Sequence, residues 1–290
     1  MAIEIESIHC PVCGPSEQIH LFQKDGWNIV RCSFCSLAMV NPRRKNSADI
    51  YASEDYFNDE RYYYDYAGNK AAYQKGFRSK LRLISRHCSK KGKLLDVGAA
   101  YGFFMEEAAR FGFEPYGVEL SRTAADRASR YGHVFHKPLA EVRTDARFSA
   151  VTFIDSLEHF EDPLQGLTQA RAFLEDQGIV AVMVPNIDSL FARITRTKWH
   201  LLLPEEHLFY FTPKSMRLMF EKAGFEPVYL GTGGYGRSMA EILRVVFRGA
   251  GLPLQVLEPA LCEYPCRAIS MMPARWACTR CLASLPASAA

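Results

Sequence analysis

A pair of glycines after a short apolar run constrains the fold of this chain more than any other feature. The run Lys93–Val97 shows no polar alternation, as expected of a strand that is buried on both faces of a parallel sheet. Gly98 and Gly102 follow it, so the backbone can turn tightly and approach a ligand. Apolar residues then recur at helical spacing over residues 103–111. This strand, turn and helix predict the first unit of an open α/β sheet.

A second predicted strand ends in an acid that suits a nucleoside. Glu119 lies about 20 residues past the turn, where a carboxylate can accept hydrogen bonds from both hydroxyls of a ribose. The turn itself reads Gly-Ala-Ala-Tyr-Gly and lacks the G-x-G-x-x-G spacing of dinucleotide phosphate loops. Asp96, just before the turn, would sit poorly beside a pyrophosphate but suits the ammonium end of a methionine moiety. These residues favour S-adenosylmethionine (SAM) over a dinucleotide.

Residues 94–102 resemble motif I of class I SAM-dependent methyltransferases, and Glu119 matches the ribose-binding acid of that family. Further segments are similar to the methyltransferase type 11/23 group and follow in the same order, at 148–155, 158–163, 178–186, 206–213 and 223–225. The resemblance spans roughly residues 55–232. It implies an α/β fold with a Rossmann-like, doubly wound, mostly parallel seven-stranded sheet. The cofactor contacts that it implies are Asp96, Gly98, Ala100, Tyr101, Gly102, Glu119, Leu120 and Asp155.

One position departs from the family pattern. Ala100 replaces the commoner middle glycine of motif I. An alanine costs little there if its φ is negative, and under that condition the departure weakens the match only slightly.

Four of the nine cysteines form two Cys-x-x-Cys pairs near the N-terminus. Cys10 and Cys13 are separated from Cys32 and Cys35 by residues 14–31, a spacer within the range of four-thiolate zinc sites. Redox pairs and unliganded thiols are the alternatives, and disulfides are not expected in a reducing cytosol. The ribbon has few basic residues for gripping nucleic acid, so we interpret it as a structural or substrate-shaping zinc module.

The candidate catalytic residues follow the predicted fourth and fifth strands, because ligands of open parallel sheets lie beyond the carboxyl ends of the strands. His159, with Glu158 and Asp155, could order the loop, line the cofactor pocket or surround a divalent cation. A divalent cation at these residues would be similar to the site of the metal-dependent ubiquinone-type O-methyltransferases. His207 is the expected general base, with a pKa tuned by the Glu206 carboxylate, and ordering of the loop is the alternative. Sugar C-methyltransferases carry a similar Glu-His pair and a zinc module, but their larger C-terminal domain is not evident here.

The net charge and the hydropathy limit the classes of partner that the chain can have. The net charge of +3 is too small to argue for nucleic acid or an anionic membrane. No apolar run reaches the length of a transmembrane helix, and the N-terminus is acidic where a signal peptide would be basic. We therefore expect a cytoplasmic protein with a small-molecule or sugar acceptor.

The expected domains are a zinc ribbon (1–45), a tyrosine-rich linker with a lid helix (46–90), a SAM-binding domain (91–235) and a C-terminal helix and tail (236–290). The tyrosines of residues 51–66 fit either an interdomain packing surface or a lid that stacks on adenine, the sulfonium or a substrate ring. The basic residues of the lid helix are expected to be solvated; they are Arg78, Lys80, Arg82 and Arg86.

The C-terminal region is the least constrained. We predict a helix at residues 238–248, and residues 267–272 are only a poor candidate for the seventh strand. The tail is expected to be loosely ordered, with a second metal site as the alternative for its cysteines, which are Cys262, Cys266, Cys278 and Cys281.

Two functional hypotheses follow from these observations. The first is a SAM-dependent methyltransferase that acts on oxygen or carbon of a small molecule or sugar. The second is a zinc-ribbon module on a SAM-binding fold that binds RNA or a protein, as an rRNA methyltransferase or without chemistry. No Asn-Pro-Pro-Tyr motif follows the fourth strand, which argues against methylation of adenine N6 or of a glutamine amide. The identity of the acceptor is not specified.

Overall fold

The structure is a computed structural model that describes residues 4–52, 66–233 and 278–286. Its N-terminal module consists of short antiparallel strands and one helical turn. These elements are β1 (Ile5–Glu6), β2 (Gln18–Lys24), β3 (Trp27–Cys32), β4 (Ala38–Val40), β5 (Arg43–Arg44) and α1 (Asp49–Ala52). The β2–β3 hairpin turns at Asp25 and Gly26, whose φ angles of 50° and 85° suit a tight two-residue turn.

The rest of the described chain alternates strands with helices. In chain order its elements are α2 (Lys70–His87), β6 (Lys93–Val97), α3 (Phe103–Arg110), β7 (Glu114–Val118), α4 (Arg122–Ala128), β8 (His133–Phe135), β9 (Phe148–Ile154), α5 (Pro163–Phe173), β10 (Leu174–Pro185), α6 (Leu190–Thr195), β11 (Phe209–Tyr210), α7 (Pro213–Lys222), β12 (Glu226–Gly233) and β13 (Cys278–Ser284).

Seven strands form the central sheet, in the order β12-β13-β10-β9-β6-β7-β8. The pairs from β10 to β8 are all parallel, whereas β13 lies antiparallel between β10 and β12. The predicted mostly parallel, seven-stranded sheet is therefore confirmed. The chain reverses its direction of winding between β6 and β9, and such a switch point opens a ligand crevice at the carboxyl ends of the two strands.

The seventh strand differs from the expectation. It is Cys278–Ser284, so a loosely ordered tail was wrong for this segment. The strand pairs with β10 on one side and β12 on the other, and Cys281, Leu282 and Ala283 are buried there. Cys281 is thus enclosed within the sheet. Residues 238–248 and 267–272, together with Cys262 and Cys266, lie outside the described residues.

Helix α2 packs against α3 through charged as well as apolar side chains. The guanidinium of Arg78 lies 2.8 Å from the carboxylate of buried Glu107. Lys80 is buried too, with its ammonium 4.9 Å from the ring centre of Phe77. The expectation of solvated basic residues is wrong for Lys80, because a long side chain can run along the helix into the interior, whereas the Arg78 side chain stays 44% exposed while it pairs with Glu107.

The N-terminal module joins the main body through a shared sheet. Strand β11 pairs with β4 and completes a four-stranded sheet in the order β11-β4-β3-β2. Arg31 forms a 2.8 Å ion pair with Asp188 across the same junction. Within the described ranges, none of the helices combines the length and apolar character that a bilayer crossing requires.

Candidate active site

The cofactor loop leaves β6 at two glycines that no other residue could replace without strain. Gly98 has a φ of +85°, and a Cβ there would lie 2.7 Å from the Cβ of Ser156. Gly102 has a φ of +75°, and a Cβ there would lie 2.8 Å from the Cα of Ala128. The loop is held by hydrogen bonds from the amides of Gly98 and Ala99 to the Val118 carbonyl, at 2.9 and 3.0 Å. The backbone is therefore fixed where a ligand would approach it.

Ala100 lies in the left-handed region, with a φ of +48°. The condition of a negative φ is therefore not met, and an L-residue in this conformation costs roughly 1–2 kcal/mol. Its amide donates a 2.7 Å hydrogen bond to Oε2 of Glu119. This bond to a carboxylate offsets part of the strain, which explains why a residue other than glycine is tolerated.

Glu119 follows β7 and is buried beside the loop. Its Oε1 accepts hydrogen bonds from the amides of Leu120 and Ser121, both at 2.8 Å. Burial raises the pKa of Glu119, while the hydrogen bonds from Ser121, Ala100 and Leu120 oppose the shift. A carboxylate offers about four lone-pair positions, and three amides occupy three of them. The rigidly held oxygens can accept a further bond from a ribose hydroxyl.

Asp96 is the second buried acid of the loop. Its Oδ1 accepts a 2.7 Å hydrogen bond from the hydroxyl of Thr152. Burial raises the pKa of Asp96 to about 7, although Thr152 and the charge of Lys80 act in the opposite direction. Without ligand, the Asp96 carboxyl therefore changes its charge near neutral pH.

This pKa predicts a pH-dependent affinity for SAM. Below pH 7 the Asp96 carboxyl holds a proton, which must leave before a cationic amino group can pair with it, so the SAM affinity should fall by up to about tenfold per pH unit. The amino group of SAM stays charged over this range, because α-amino groups titrate near pH 8. Calorimetry from about pH 5.5 to pH 7.5 would measure the slope. Asp96→Asn should bind SAM at least about tenfold more weakly and without this slope; equal slopes in both proteins would contradict the assignment.

The other expected cofactor residues follow the ends of β6, β7 and β9. The buried Tyr101 ring lies 4.2 Å from the Arg127 guanidinium and packs edge-on against Tyr66 at 5.2 Å. Leu120 is half-buried, and its carbonyl accepts a 2.9 Å bond from Nε2 of His136. Asp155 follows β9 with a φ of +54°. Of the tyrosine-rich segment, Tyr66 thus has a packing role, and residues 53–65 lie outside the described part of the chain.

The two candidate catalytic histidines meet. His159 ends a 3₁₀ turn after β9, and His207 precedes β11. Their ring centres are 4.9 Å apart, with an interplanar angle of 65°. Nδ1 of His159 lies 3.0 Å from the Glu206 carbonyl and 2.7 Å from the Tyr51 hydroxyl. Because a carbonyl can only accept, Nδ1 of His159 carries the proton and its Nε2 has the lone pair.

His207 has the same tautomer for a similar reason. Its Nδ1 donates a 2.8 Å hydrogen bond to the Leu201 carbonyl, which leaves the lone pair on Nε2. Burial lowers the pKa of His207 to about 3, with a further contribution from His159, and burial lowers that of His159 to about 4. Both rings are neutral at physiological pH. Nδ1 of His207 thus bonds to the Leu201 carbonyl rather than to the Glu206 carboxylate, and Glu206 orients His159 through its own carbonyl.

Glu158 stands beside the histidine pair. Burial raises its pKa well above the usual range, and the nearby Asp155 and Glu206 carboxyls add to the shift. Over residues 4–52, 66–233 and 278–286, neither oxygen of Glu158 has a hydrogen-bond partner. One ligand atom each from Glu158, His159 and His207 lies within 4.8 Å of the others. Two imidazoles and a carboxylate at this spacing could hold a divalent cation.

Two residues that shape the site were not expected from the sequence. Tyr51 bridges His159 and Glu206, since its hydroxyl also donates a 3.0 Å bond to the Glu206 carbonyl. The tyrosine-rich composition marked this region, but it did not distinguish Tyr51 from its neighbours. Ser156 supports the cofactor loop through a 2.6 Å bond from its hydroxyl to the Val97 carbonyl. No sequence pattern indicated this serine.

The four N-terminal cysteines also converge. The sulfur atoms of Cys10, Cys13, Cys32 and Cys35 all lie within 4.8 Å of one another, and those of Cys10 and Cys35 are 3.5 Å apart. A tetrahedral zinc ion with Zn–S bonds of about 2.3 Å needs sulfur atoms about 3.8 Å apart, so the arrangement fits. A hydrogen bond from Cys35 lowers the pKa of Cys10 to about 5, which favours a thiolate ligand.

Comparison with known proteins supports the fold and the cofactor loop. A methyltransferase domain family matches residues 70–230. The curated relatives include ubiquinone biosynthesis O-methyltransferases from Ruegeria sp., 25% identical over 152 residues, and from Cereibacter sphaeroides, 29% identical over 150 residues. Each alignment covers 47% of this chain and 61% of the relative.

Solved structures with the same fold include two methyltransferases. The magnesium protoporphyrin IX methyltransferase of Synechocystis, with bound S-adenosylhomocysteine (SAH), has a TM-score of 0.53 at 13% identity, over 82% of this chain and 97% of that one. The 1,6-didemethyltoxoflavin-N1-methyltransferase of Burkholderia thailandensis has a TM-score of 0.53 at 16% identity, over 93% of this chain and 100% of that one. These likenesses show the fold alone. The family match covers more than half of the chain, and the sheet has the strand order described above, so the chain belongs to the class I SAM-dependent methyltransferases.

Proposed function

We propose that this protein transfers the methyl group of SAM to an oxygen or carbon atom of a small-molecule or sugar acceptor. The observation that carries the proposal is the pair of neutral imidazoles, His159 and His207, whose ring centres are 4.9 Å apart. They follow β9 and precede β11, near the carboxyl ends of the central strands. Ligands of open parallel sheets bind at this edge.

The cofactor loop and the histidine pair are linked by one short segment. Ser156 packs against Gly98 and bonds to the Val97 carbonyl, and His159 follows three residues later. A cofactor with its ribose on Glu119 and its amino group near Asp96 would occupy the crevice beside this segment. Its reactive methyl group would then lie between the loop and the imidazoles.

The chemistry needs a positioned nucleophile and a proton acceptor. In the proposed step, the acceptor oxygen attacks the methyl carbon, the carbon–sulfur bond breaks, and its electron pair stays on sulfur to give SAH. The acceptor's proton moves to the free Nε2 of His207. The imidazolium would form within 4.8 Å of a Glu158 oxygen, and a carboxyl oxygen can accept a hydrogen bond from it.

The curated relatives favour oxygen as the first acceptor atom to examine. Their names describe O-methyltransferases of ubiquinone biosynthesis. The chain spans 61% of their length, and its cysteine module lies outside the residues that match the family. A phenolic hydroxyl is therefore the first acceptor class to test, and a sugar hydroxyl or an acidic carbon is the second.

A metal-assisted version of the reaction is favoured by Glu158. This buried carboxyl has neither oxygen hydrogen-bonded among the described residues, and unsatisfied buried polar atoms are rare in native proteins. Glu158, His159 and His207 would hold a divalent cation, which polarises an acceptor oxygen when it is bound. Activity that is lost on EDTA treatment and restored by Mg²⁺ or Mn²⁺ would select this version.

We also propose that the four cysteines hold a structural zinc ion. The support is the mutual distance of their sulfur atoms and the favoured thiolate of Cys10. Elemental analysis should find one zinc per chain, and Cys10→Ser should lower this content, because it removes one of four ligands. Wild-type protein that contains no tightly bound metal after zinc-supplemented expression would refute the proposal.

The proposed function is tested with SAM that carries an isotope-labelled methyl group. Phenols and catechols, sugar nucleotides and RNA would be offered separately, and the products identified by mass spectrometry. We expect label on a small molecule, at an oxygen or carbon atom. Label on RNA alone would refute the small-molecule proposal and support the RNA alternative.

A further inference from the structure

The cysteine module shares backbone hydrogen bonds with the segment that carries His207. In the pairing of β4 with β11, Phe209 lies opposite Met39 and Tyr210 opposite Ala38. The amide of Val40 adds a 3.0 Å hydrogen bond to the carbonyl of Leu208. The residue directly after His207 is therefore tied to the module.

The same residue, Leu208, is also tied to the segment that carries the other histidine. The amide of Leu208 donates a 3.0 Å hydrogen bond to the carbonyl of Glu158, the residue before His159. Leu208 thus connects three segments: β4 of the module, the turn with His159 and the loop with His207. A shift of β4 would move the points at which both imidazoles are anchored.

The four thiols lie in the cysteine module, next to the start of β4. Cys32 is the last residue of β3, and Cys35 lies three residues before Ala38, the first residue of β4. The β3–β4 connection is closed by a 2.9 Å bond from the Cys32 amide to the Leu37 carbonyl. A metal ion that binds both thiols would fix the start of β4.

Side-chain packing follows the same path as the backbone. Cys10, Cys32 and Cys35 belong to one continuous apolar cluster with Phe209 and Phe211. Interiors at this density transmit displacement rather than absorb it. The cysteine module and the strand after His207 are therefore packed together in one core.

We propose that metal binding at the four cysteines positions the two histidines of the acceptor site, with β4 and Leu208 as the connection. Loss of the metal loosens residues 206–211 and lowers methyl transfer. The cofactor loop, which is anchored on Val118 and Glu119, keeps its affinity for SAM. The activity part of this proposal rests on the proposed function, but the structural part does not.

Hydrogen–deuterium exchange tests the structural part without any acceptor. The metal-loaded protein would be compared with protein stripped by a chelator, and SAM affinity measured on both. Exchange in a peptide that covers residues 206–211 should rise by about tenfold or more, because local opening is then cheaper. Exchange at residues 98–102 and the SAM affinity should change by less than about threefold. Equal exchange at 206–211 in both samples would overturn the proposal.

If removal of the metal unfolds the protein, a variant that keeps all four thiols tests the same connection. Val40→Pro removes the amide that bonds to Leu208, whereas the matched control Val40→Ala keeps the amide and loses only side-chain volume. Val40→Pro should keep its metal and its SAM affinity, show faster exchange at 206–211, and lose about tenfold or more in kcat. Val40→Ala should keep its exchange and turnover.

The outcomes separate this proposal from the proposed function. If Val40→Pro exchanges and turns over like Val40→Ala, the coupling is wrong and the methyltransferase assignment stands. If wild-type protein methylates no small acceptor but exchange at 206–211 still rises on metal removal, the connection stands and the proposed reaction is wrong.

Discussion

Glu119→Ala is expected to weaken SAM binding by about 100-fold, because a ribose hydroxyl would lose a charged acceptor worth about 1.5–3 kcal/mol and the cofactor loop would lose an anchor. The same change removes the acceptor of three amides, those of Ala100, Leu120 and Ser121. Ala100 depends most on this bond, since its φ of +48° is otherwise unfavourable. The cofactor loop should therefore loosen at the same time as the ligand contact is lost.

Glu119→Gln is the matched control, since the amide keeps the shape and one acceptor oxygen. Its affinity for SAM should fall by about tenfold, between those of wild type and Glu119→Ala. Calorimetry gives the affinities, and thermal unfolding shows how much of each loss follows from a weakened loop. Unchanged SAM affinity in Glu119→Ala would remove Glu119 from the cofactor site.

His207→Ala is expected to lower kcat by about 100-fold or more, the usual contribution of a positioned general base, while SAM affinity stays the same. The cofactor loop shares no hydrogen bond with His207, whose Nδ1 bonds to the Leu201 carbonyl. The loss should therefore appear in turnover rather than in cofactor binding. Steady-state kinetics with saturating SAM, together with calorimetry, separates the two.

The control for this variant is His133→Ala, which removes an exposed imidazole on β8 at the far side of the sheet. It should leave kcat unchanged. His159→Ala gives a second comparison, because it also removes the contacts to Tyr51 and Glu206. Full turnover in His207→Ala with a large loss in His159→Ala would transfer the role of base to His159.

The cofactor half of the site could be predicted because its constraints are local. Gly98 and Gly102 both adopt a positive φ, and a Cβ added at either would lie less than 3 Å from a neighbouring atom, so sequence and geometry express the same requirement. Glu119 ends the next strand, where the α/β architecture places an acid beside the turn. The φ of Ala100 was not predictable, because it depends on the hydrogen bond from its amide to Glu119.

The sequence indicated where the acceptor site lies, but it did not predict the contacts between its residues. His159 and His207 were expected beyond neighbouring strands, but their contact depends on Leu208 and on the pairing of β11 with β4. Their tautomers are set by the carbonyls of Glu206 and Leu201, and no sequence motif encodes such contacts. Strand β13 was not predicted for another reason. Its sequence Cys-Thr-Arg-Cys-Leu-Ala-Ser mixes polar and small residues and lacks a long apolar run, and its burial comes from the strands on either side.

A crystal structure of the complex with SAH tests the central claim most directly. We expect a ribose hydroxyl on the carboxylate of Glu119, the amino group beside Asp96, and the sulfur atom directed towards His159 and His207. Wild type and Val40→Pro would be crystallised in parallel, and the cofactor should occupy the same position in both. SAH with its sulfur directed away from the histidine pair, or bound without contact to Glu119, would contradict the account.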